Sequence, residues 1–586
     1  MLVRTFTLAL TLSGSLHAQG GTLTHDQLTR ELRTLAGSSN LATLTSIGRS
    51  HQGRDLWLMT IARPGGAAVE TRPGLLVVGN LEGDHTAGSA IALETIRYLL
   101  SPDGQTALGD VLARNVLYIV PRLNPDGAEA RRRGNGRPTD DDHDGRVDED
   151  GPEDLNGDGR ITMMRVPDPT GAFRVDSANP QLMRRADRAR GQAGTHKLYI
   201  EGRDNDGDDF YNEDGVGGVD LNRNFQHAYP YYELGAGPWM VSEPESRALM
   251  DFAIAHRNIA AILTFGLSDN LVTPPTDRGT LAPASVLNLL AYAEASNNDA
   301  RSRGVFGAGG GGGGFGGGFG GGQPQFRGAQ AGRDNDSASG RRPSMTVHAS
   351  DRPYYSHVSQ LYRELTGVTR VGVNREAEGA FFQFGYFHYG VPSFSTPGWG
   401  HARATRDSTL DITMLAVLDT LGVDGFVEWT PFTHPQLGAV EIGGFDPFAV
   451  INPPADSLAA IGQRHGTFVA RLAGLLPQVR VVGSEVTAHG GGVFTVSVTV
   501  ENAGYFPTAL QHGVVAGAVD ATTVQIQVPQ ESIMTGANKT HRINRMEGSG
   551  VREMVTWVIR GRQGASVEIR VRAQKGGTST HTVTLR

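Results

Sequence analysis

GLLVVGNLEGDHTAGSAIAL, residues 74–93, is the run from which the architecture of this chain can be read. Its first residues form a continuous apolar segment of the kind that makes a strand buried on both faces, and from about Ala87 to Leu100 apolar residues recur on one helical face. A strand that passes through a short loop into a helix is the unit of an α/β sheet, and ligands of such sheets collect beyond the carboxyl ends of the strands. Glu82 and His85 stand in that loop, three residues apart, and each is chemically able to bind zinc.

Working outward, LTHDQLTRELRTLAG reads as a helix, DLWLMTIAR as a strand, and VLYIVPRLNPDG (residues 116–127) as a strand closed by a Pro-Asp-Gly turn. The strand NIAAILTF, the helix YYSHVSQLYRELTG and the segment GAFFQFGYFHYGVPSFSTPGW continue the α/β pattern. From about Val479 onward the period changes to two: GVFTVSVTVENAG, TTVQIQVP, EMVTWVIRG, ASVEIRVRAQ and THTVTL predict an independent β-sandwich without a catalytic constellation.

Composition bounds what such a chain can do. Its 586 residues, with 39% hydrophobic and 19% charged, have room for several domains with sizeable cores. A net charge of -8 gives no basic face for a phosphate backbone, so nucleic acid is excluded as the expected partner, and a small or peptidic ligand is favoured. There are no cysteines, hence no disulfides, thiolate metal sites or cysteine nucleophiles. MLVRTFTLALTLSGSLHAQG, with Arg4 ahead of an apolar run and small residues before Gln19, predicts a signal peptide over residues 1–18. Export to the periplasm, the cell surface or the medium follows, and no segment has the length of a membrane span.

Two insertions interrupt the α/β pattern. Between residues 134 and 217 the chain is acidic and Gly-rich, and two twelve-residue pieces repeat: DDDHDGRVDEDG from Asp140 and DNDGDDFYNEDG from Asp204. With DLNGDGRIT from Asp154 they place carboxylates or amides at alternate positions: Asp140, Asp142 and Asp144; Asp154, Asn156 and Asp158; Asp204, Asp206 and Asp208. Oxygens so spaced on a tight turn suit calcium, which takes about six to eight of them. Counting twelve from Asp154 reaches Arg165, so the closing Glu of an EF-hand is missing and looser calcium loops are expected. The second insertion, residues 300–342, contains GAGGGGGGFGGGFGGG and cannot bury enough surface to order itself.

NPDG (Asn124–Gly127), GVDLNRNF (Gly218–Phe225), SEPESRALMDF (Ser242–Phe252), AILTF (ending at Phe265) and FHYGVPSFST (Phe387–Thr396) follow one another in an order that resembles the zinc carboxypeptidase family, the carboxypeptidase A-like peptidases. The resemblance spans about Leu23 to Gly425 outside the insertions. It implies an α/β fold with a mixed eight-stranded sheet flanked by helices, here over residues 22–465, followed by the β-sandwich over 475–586. It further implies removal or recognition of the C-terminal residue of a peptide or protein. Asn222 and Arg223 match the family's carboxylate-binding pair, and its carbonyl-polarising Arg falls among Arg131, Arg132 and Arg133. At the metal loop, however, Glu82 stands where the family has His and His85 where it has Glu. The third ligand position is Gly266, and the general-base position is Gly398. Asp269 and His227 are substitute third ligands by sequence proximity alone.

Simpler roles stand beside these. His143 reads as a solvated loop residue, His388 as a packing histidine, and the aromatic run from Phe381 to Tyr389 as core or pocket wall. Three functions compete: an exported metallocarboxypeptidase using zinc, a module that binds peptide C-termini without cutting them, and a calcium-stabilised surface protein whose sandwich does the attaching.

Overall fold

The computed structural model describes residues 23–140, 145–207, 211–212, 214–215, 217–276, 346–372, 374–375, 377–400 and 410–586. The expected signal peptide, the Gly-rich insertion, Asp142, His143, Asp144 and Asp208 lie outside the described residues.

Strands are numbered β1–β20 along the chain. The central sheet contains β1 (Ala42–Arg49), β2 (Asp55–Ile61), β3 (Gly74–Gly79), β4 (Val116–Val120), β9 (Ile259–Phe265) and β10 (Ser393–Thr396) in the order β1-β2-β4-β3-β9-β10. β4, β3, β9 and β10 run parallel, while β1 and β2 are antiparallel to their neighbours, so the sheet is mixed. Every residue of the four parallel strands is buried, as the apolar runs of β3, β4 and β9 require, and in β10 the buried Ser393, Ser395 and Thr396 flank Phe394. One face packs on the helices His25–Ser38, Thr86–Leu100, Arg352–Thr366 and Leu458–Gly474, through Leu32, Ile91, Tyr362 and Phe468 among others. The opposite face packs on Pro244–Ala255 and Phe381–Phe387 through Leu249, Phe252, Phe381 and Phe384. Among the described residues this sheet has six strands where eight were expected, and the described chain between β9 and β10 supplies helices.

The acidic insertion is more than a set of loops. It supplies β5 (Met163–Pro167), β6 (Phe173–Val175), β7 (Met183–Arg185) and β8 (His196–Ile200), which join the hairpin β11 (Phe426–His434) and β12 (Gly438–Phe445) in an antiparallel sheet ordered β11-β12-β5-β8-β6-β7. Met164, Val166, Tyr199, Tyr211, Val440 and Ile442 form its small core. The two acidic repeats meet in an antiparallel bridge, Asp150 to Asp214, and each of these residues is the eleventh of its own repeat.

The C-terminal region has two four-stranded antiparallel sheets. One is ordered β13-β14-β18-β16 (Val479–Gly490, Val493–Asn502, Val551–Arg560, Ile533–Gly536), and the other β17-β15-β19-β20 (Thr540–Ile543, Thr522–Ile526, Ser566–Ala573, Gly577–Thr584). Alternate residues Phe494, Val496, Val498 and Val500 of β14 pack with Trp557, Ile569 and Val571 in a dry core. This module is tied to the α/β layers through a buried carboxylate. Asp351 accepts from Gln511 N at 2.7 Å, His512 N at 3.0 Å and Tyr386 Oη at 2.9 Å, with Arg545 at 3.9 Å. Lys575 Nζ adds a bond to Arg257 O at 2.9 Å and lies 3.9 Å from the centre of the Tyr389 ring.

Candidate functional site

Three segments leave the central sheet at one level. Register pairs Gly79 with Phe265 and Thr396 with Phe265, so the loop from Asn80, Gly266 and Pro397 begin side by side at the carboxyl edge. Asn80 adopts a left-handed conformation (φ 57°), and its Nδ2 donates to the carbonyls of Glu82, Gly83 and His85, which folds the loop back over the strand end.

Within that loop Glu82 is only 2% exposed. Its Oε1 accepts from Asn222 Nδ2 at 2.8 Å and from Leu267 N at 3.0 Å, while Oε2 has no partner. His85 is wholly buried, and burial lowers its pKa against the opposing pull of Glu82 and Asp84. Its Nε2 lies 3.1 Å from Pro397 O; since a carbonyl can only accept, the neutral ring donates there and leaves Nδ1 as an acceptor without a partner. Nδ1 faces the first turn of its own helix, where a Cβ added at Gly88 would lie 3.2 Å from it.

The space beside Gly266 is filled from the other side. A Cβ added at Gly266 would stand 3.2 Å from both Glu82 Oε2 and Asn222 Nδ2, so the Glu82 carboxylate occupies the space that a side chain at 266 would enter. Level with Gly266 is Pro397, one residue past the paired Thr396, and Gly398 follows with φ 78°. A Cβ at Gly398 would meet Ile91 Cδ1 at 2.5 Å, so this position points into apolar core, and neither residue carries an ionisable group.

Charge gathers around this edge. Arg133 lies 3.6 Å from Asp84 and 4.0 Å from Asp220. Burial, and next the negative charge of Glu82, push Asp220 up to about 7, against Arg133 and Arg223. Of the three consecutive arginines, Arg133 reaches these site carboxylates. Arg131 ends its short helix in the left-handed region and lies 5.3 Å from the Phe448 ring centre. Burial lowers the pKa of Arg132, while Asp148 and Asp126 raise it.

Asn222 and Arg223 are both engaged within the protein. Asn222 bridges the site: Nδ2 donates to Glu82, and Oδ1 accepts from Phe381 N at 3.1 Å. Arg223 donates through Nη1 to Leu234 O at 3.1 Å and pairs through Nη2 with Glu233. The substitute ligands do not join Glu82. Asp269 caps its own turn by accepting from Leu271, Val272 and Thr273 N, and His227 stacks on Phe387 with ring centres 3.9 Å apart.

Zinc does not fit these residues as arranged. Glu82 has one oxygen committed, His85 gives one nitrogen to a carbonyl and turns the other into its helix, and Gly266 beside them brings no donor side chain. Among the described residues no group of three or more His, Cys, Asp or Glu could hold a metal ion. The described acidic-loop residues turn their oxygens on local backbone. Asp154 accepts from Gly157, Asp158 and Gly159 N, Asn156 from Asp158 N and Asp158 from Arg160 N. Asp140 accepts from Gly145 N and Asp204 from Gly207 N, while Asp206 is half-buried. Sequence reasoning missed Asp84 and Asp220, although both lie inside the quoted motifs; a charged residue amid an apolar motif at a strand end was the available signal.

A family model described as zinc carboxypeptidase matches residues 28–311, and one for a domain of unknown function matches residues 478–584. Carboxypeptidase SOL1 of Arabidopsis thaliana is 33% identical over 129 residues, covering 22% of this chain and 26% of that protein. Carboxypeptidase D of Mus musculus is 33% identical over 119 residues, covering 18% of this chain and 9% of that protein. The chain thus spans about a quarter or less of the length of these curated relatives. Among solved structures, a metallo-carboxypeptidase from Pseudomonas aeruginosa in complex with (2-guanidinoethylmercapto)succinic acid is 25% identical, with coverage of 20% and 29% and a TM-score of 0.18. Thrombin activatable fibrinolysis inhibitor is 14% identical, with coverage of 42% and 48% and a TM-score of 0.27.

Proposed function

Since residues 28–311 match the zinc carboxypeptidase family model, we propose that this protein recognises the C-terminal carboxylate of a peptide and does not hydrolyse the bond before it. The observation that carries this reading is the exchange of volume between Glu82 and Gly266: the carboxylate lies where a third ligand would enter. The neighbouring positions Pro397 and Gly398 offer no proton acceptor in place of a general base, a role worth about 10²–10⁴-fold in rate. Arg223 is the residue assigned to the ligand carboxylate, because Asn222 is consumed between Glu82 and Phe381. Bidentate pairing of Arg with a carboxylate suits that task.

Export through residues 1–18 and calcium in the acidic insertion belong to the same proposal. The calcium reading draws support from the meeting of the two repeats at Asp150 and Asp214. Among the described residues no helix is long and apolar enough to cross a membrane.

One observation favours a second reading, hydrolysis at a rearranged metal site: Glu82 Oε2 and His85 Nδ1 are both buried without partners, a state that a cation could relieve. The test is elemental mass spectrometry on the purified chain after dialysis against trace zinc and calcium, with peptide cleavage and peptide binding measured on the same sample. Binding of a free-acid peptide but not its C-terminal amide, with no zinc and no cleavage, is expected. One zinc per chain that is lost in both Glu82→Ala and His85→Ala, together with cleavage, would sink the proposal in favour of the second reading.

A further inference from the structure

The loop that follows the GVDLNRNF motif carries two features that the proposed pocket does not use. Its Glu233 is paired with Arg223, so a carboxylate of the chain itself sits on the guanidinium assigned to the ligand. Its rings Tyr231, Tyr232 and Trp239 are 52%, 58% and 57% exposed, which makes an aromatic ledge of unusual accessibility.

The loop is held firmly at its base. Asp220 N donates to Gly235 O at 2.8 Å, Val241 N to Asn224 O at 2.6 Å, and Asn224 Nδ2 to Ala236 O at 2.8 Å. Tyr229 Oη donates to Ala236 O at 3.1 Å. These bonds also force Ala228, Tyr232 and Val241 into the left-handed region, with φ of 50°, 64° and 56°. For side-chain-bearing residues that conformation costs energy and is kept where surrounding structure imposes it. The imposed shape turns Tyr232 outward beside Glu233.

We propose that Glu233 is an internal carboxylate competing for Arg223, and that a peptide binds by displacing it, with the aromatic side chain just before its terminal residue resting on Tyr231 and Tyr232. This rests on the reading of Arg223 as the carboxylate-binding residue. The chemistry is self-consistent: the incoming carboxylate replaces one of equal charge, so Arg223 is never left unpaired. A C-terminal amide has no charge with which to compete. An aromatic side chain matches the ledge because offset and edge-to-face ring pairs add attraction beyond burial. The Arg223–Glu233 pair is largely shielded, with side chains 19% and 21% exposed, and removing the competitor should tighten binding about five- to tenfold.

The experiment measures fluorescence anisotropy of labelled peptides with the full chain, using one ending in Phe-Ala with a free carboxylate, its amide, and one ending in Ala-Ala. Glu233→Gln is expected to tighten both free-acid peptides about five- to tenfold and to leave the amide unbound. Tyr232→Ala should weaken the Phe-Ala peptide and spare the Ala-Ala one. Glu233→Ala gives an independent reading of the same effect should the Gln variant melt below wild type. If Arg223→Ala abolishes binding while both Glu233 variants bind as wild type does, the inference is overturned and the pocket stands. If no free-acid peptide binds to wild type or to either Glu233 variant, the reading of the pocket fails with it.

Discussion

Glu82 and Asp351 are both buried carboxylates of the α/β layers, yet they are served very differently. Asp351 receives two backbone N–H groups and a tyrosine hydroxyl, with Arg545 close by, and it joins the sandwich to the α/β layers. Glu82 receives two donors on one oxygen and none on the other. A buried polar group with its partners in place holds structure, whereas one left short keeps an acceptor open. The contrast separates a carboxylate that serves architecture from one with capacity to spare.

The strongest way to break this contrast is Asp351→Ala. It strands two N–H groups and the Tyr386 hydroxyl, and the expected cost is about 3–5 kcal/mol in unfolding free energy, read by urea denaturation. A loss below about 1 kcal/mol would place Asp351 in the same class as Glu82. Glu245 lies between the extremes: it accepts from His51 N and Asn135 Nδ2, but burial still pushes it up to about 7 from 4.5. Because the folded state holds this proton more tightly than the unfolded chain does, stability falls as pH rises from about 4.5 to about 7 and levels off above. Glu245→Gln should remove that slope, gaining on wild type by on the order of 2–3 kcal/mol across the same window in melts at stepped pH. A pH-independent difference would mean that the carboxylate is as well served as Asp351. The smallest effect is expected for Glu82→Gln, within about 1 kcal/mol of wild type in thermal melts at neutral pH, since the altered oxygen has no partner to lose. A loss of about 3 kcal/mol would show that a cation sits on Oε2 and would move Glu82 out of this comparison.

The parts of this architecture that could be read from sequence are those whose periodicity is set by their own burial. β3 and β9 are apolar throughout because both faces are covered, and β14 alternates because one face is. β5–β8 escaped notice because they are three to five residues long, and their partner hairpin lies far along the chain at residues 426–445. At the site, residue identities drew attention to positions 82, 85, 266 and 398. Which arginine serves the site depends on the left-handed turn at Arg131, and the posture of Glu82 depends on Leu267 N. Both are tertiary facts with no local signal. The tie between the sandwich and the α/β layers at Asp351 had no local signal, because nothing in a lone Asp ahead of a helix shows that its acceptors serve backbone of a different module.

The close approach of Glu82 Oε2 to Gly266 also bears on how this protein can change. A histidine introduced at 266 alone meets a carboxylate before it can meet a metal, and removing Glu82 alone strips Asn222 and Leu267 of their acceptor without supplying a ligand. The two positions are therefore coupled through packing, and a substitution at either one is felt at the other.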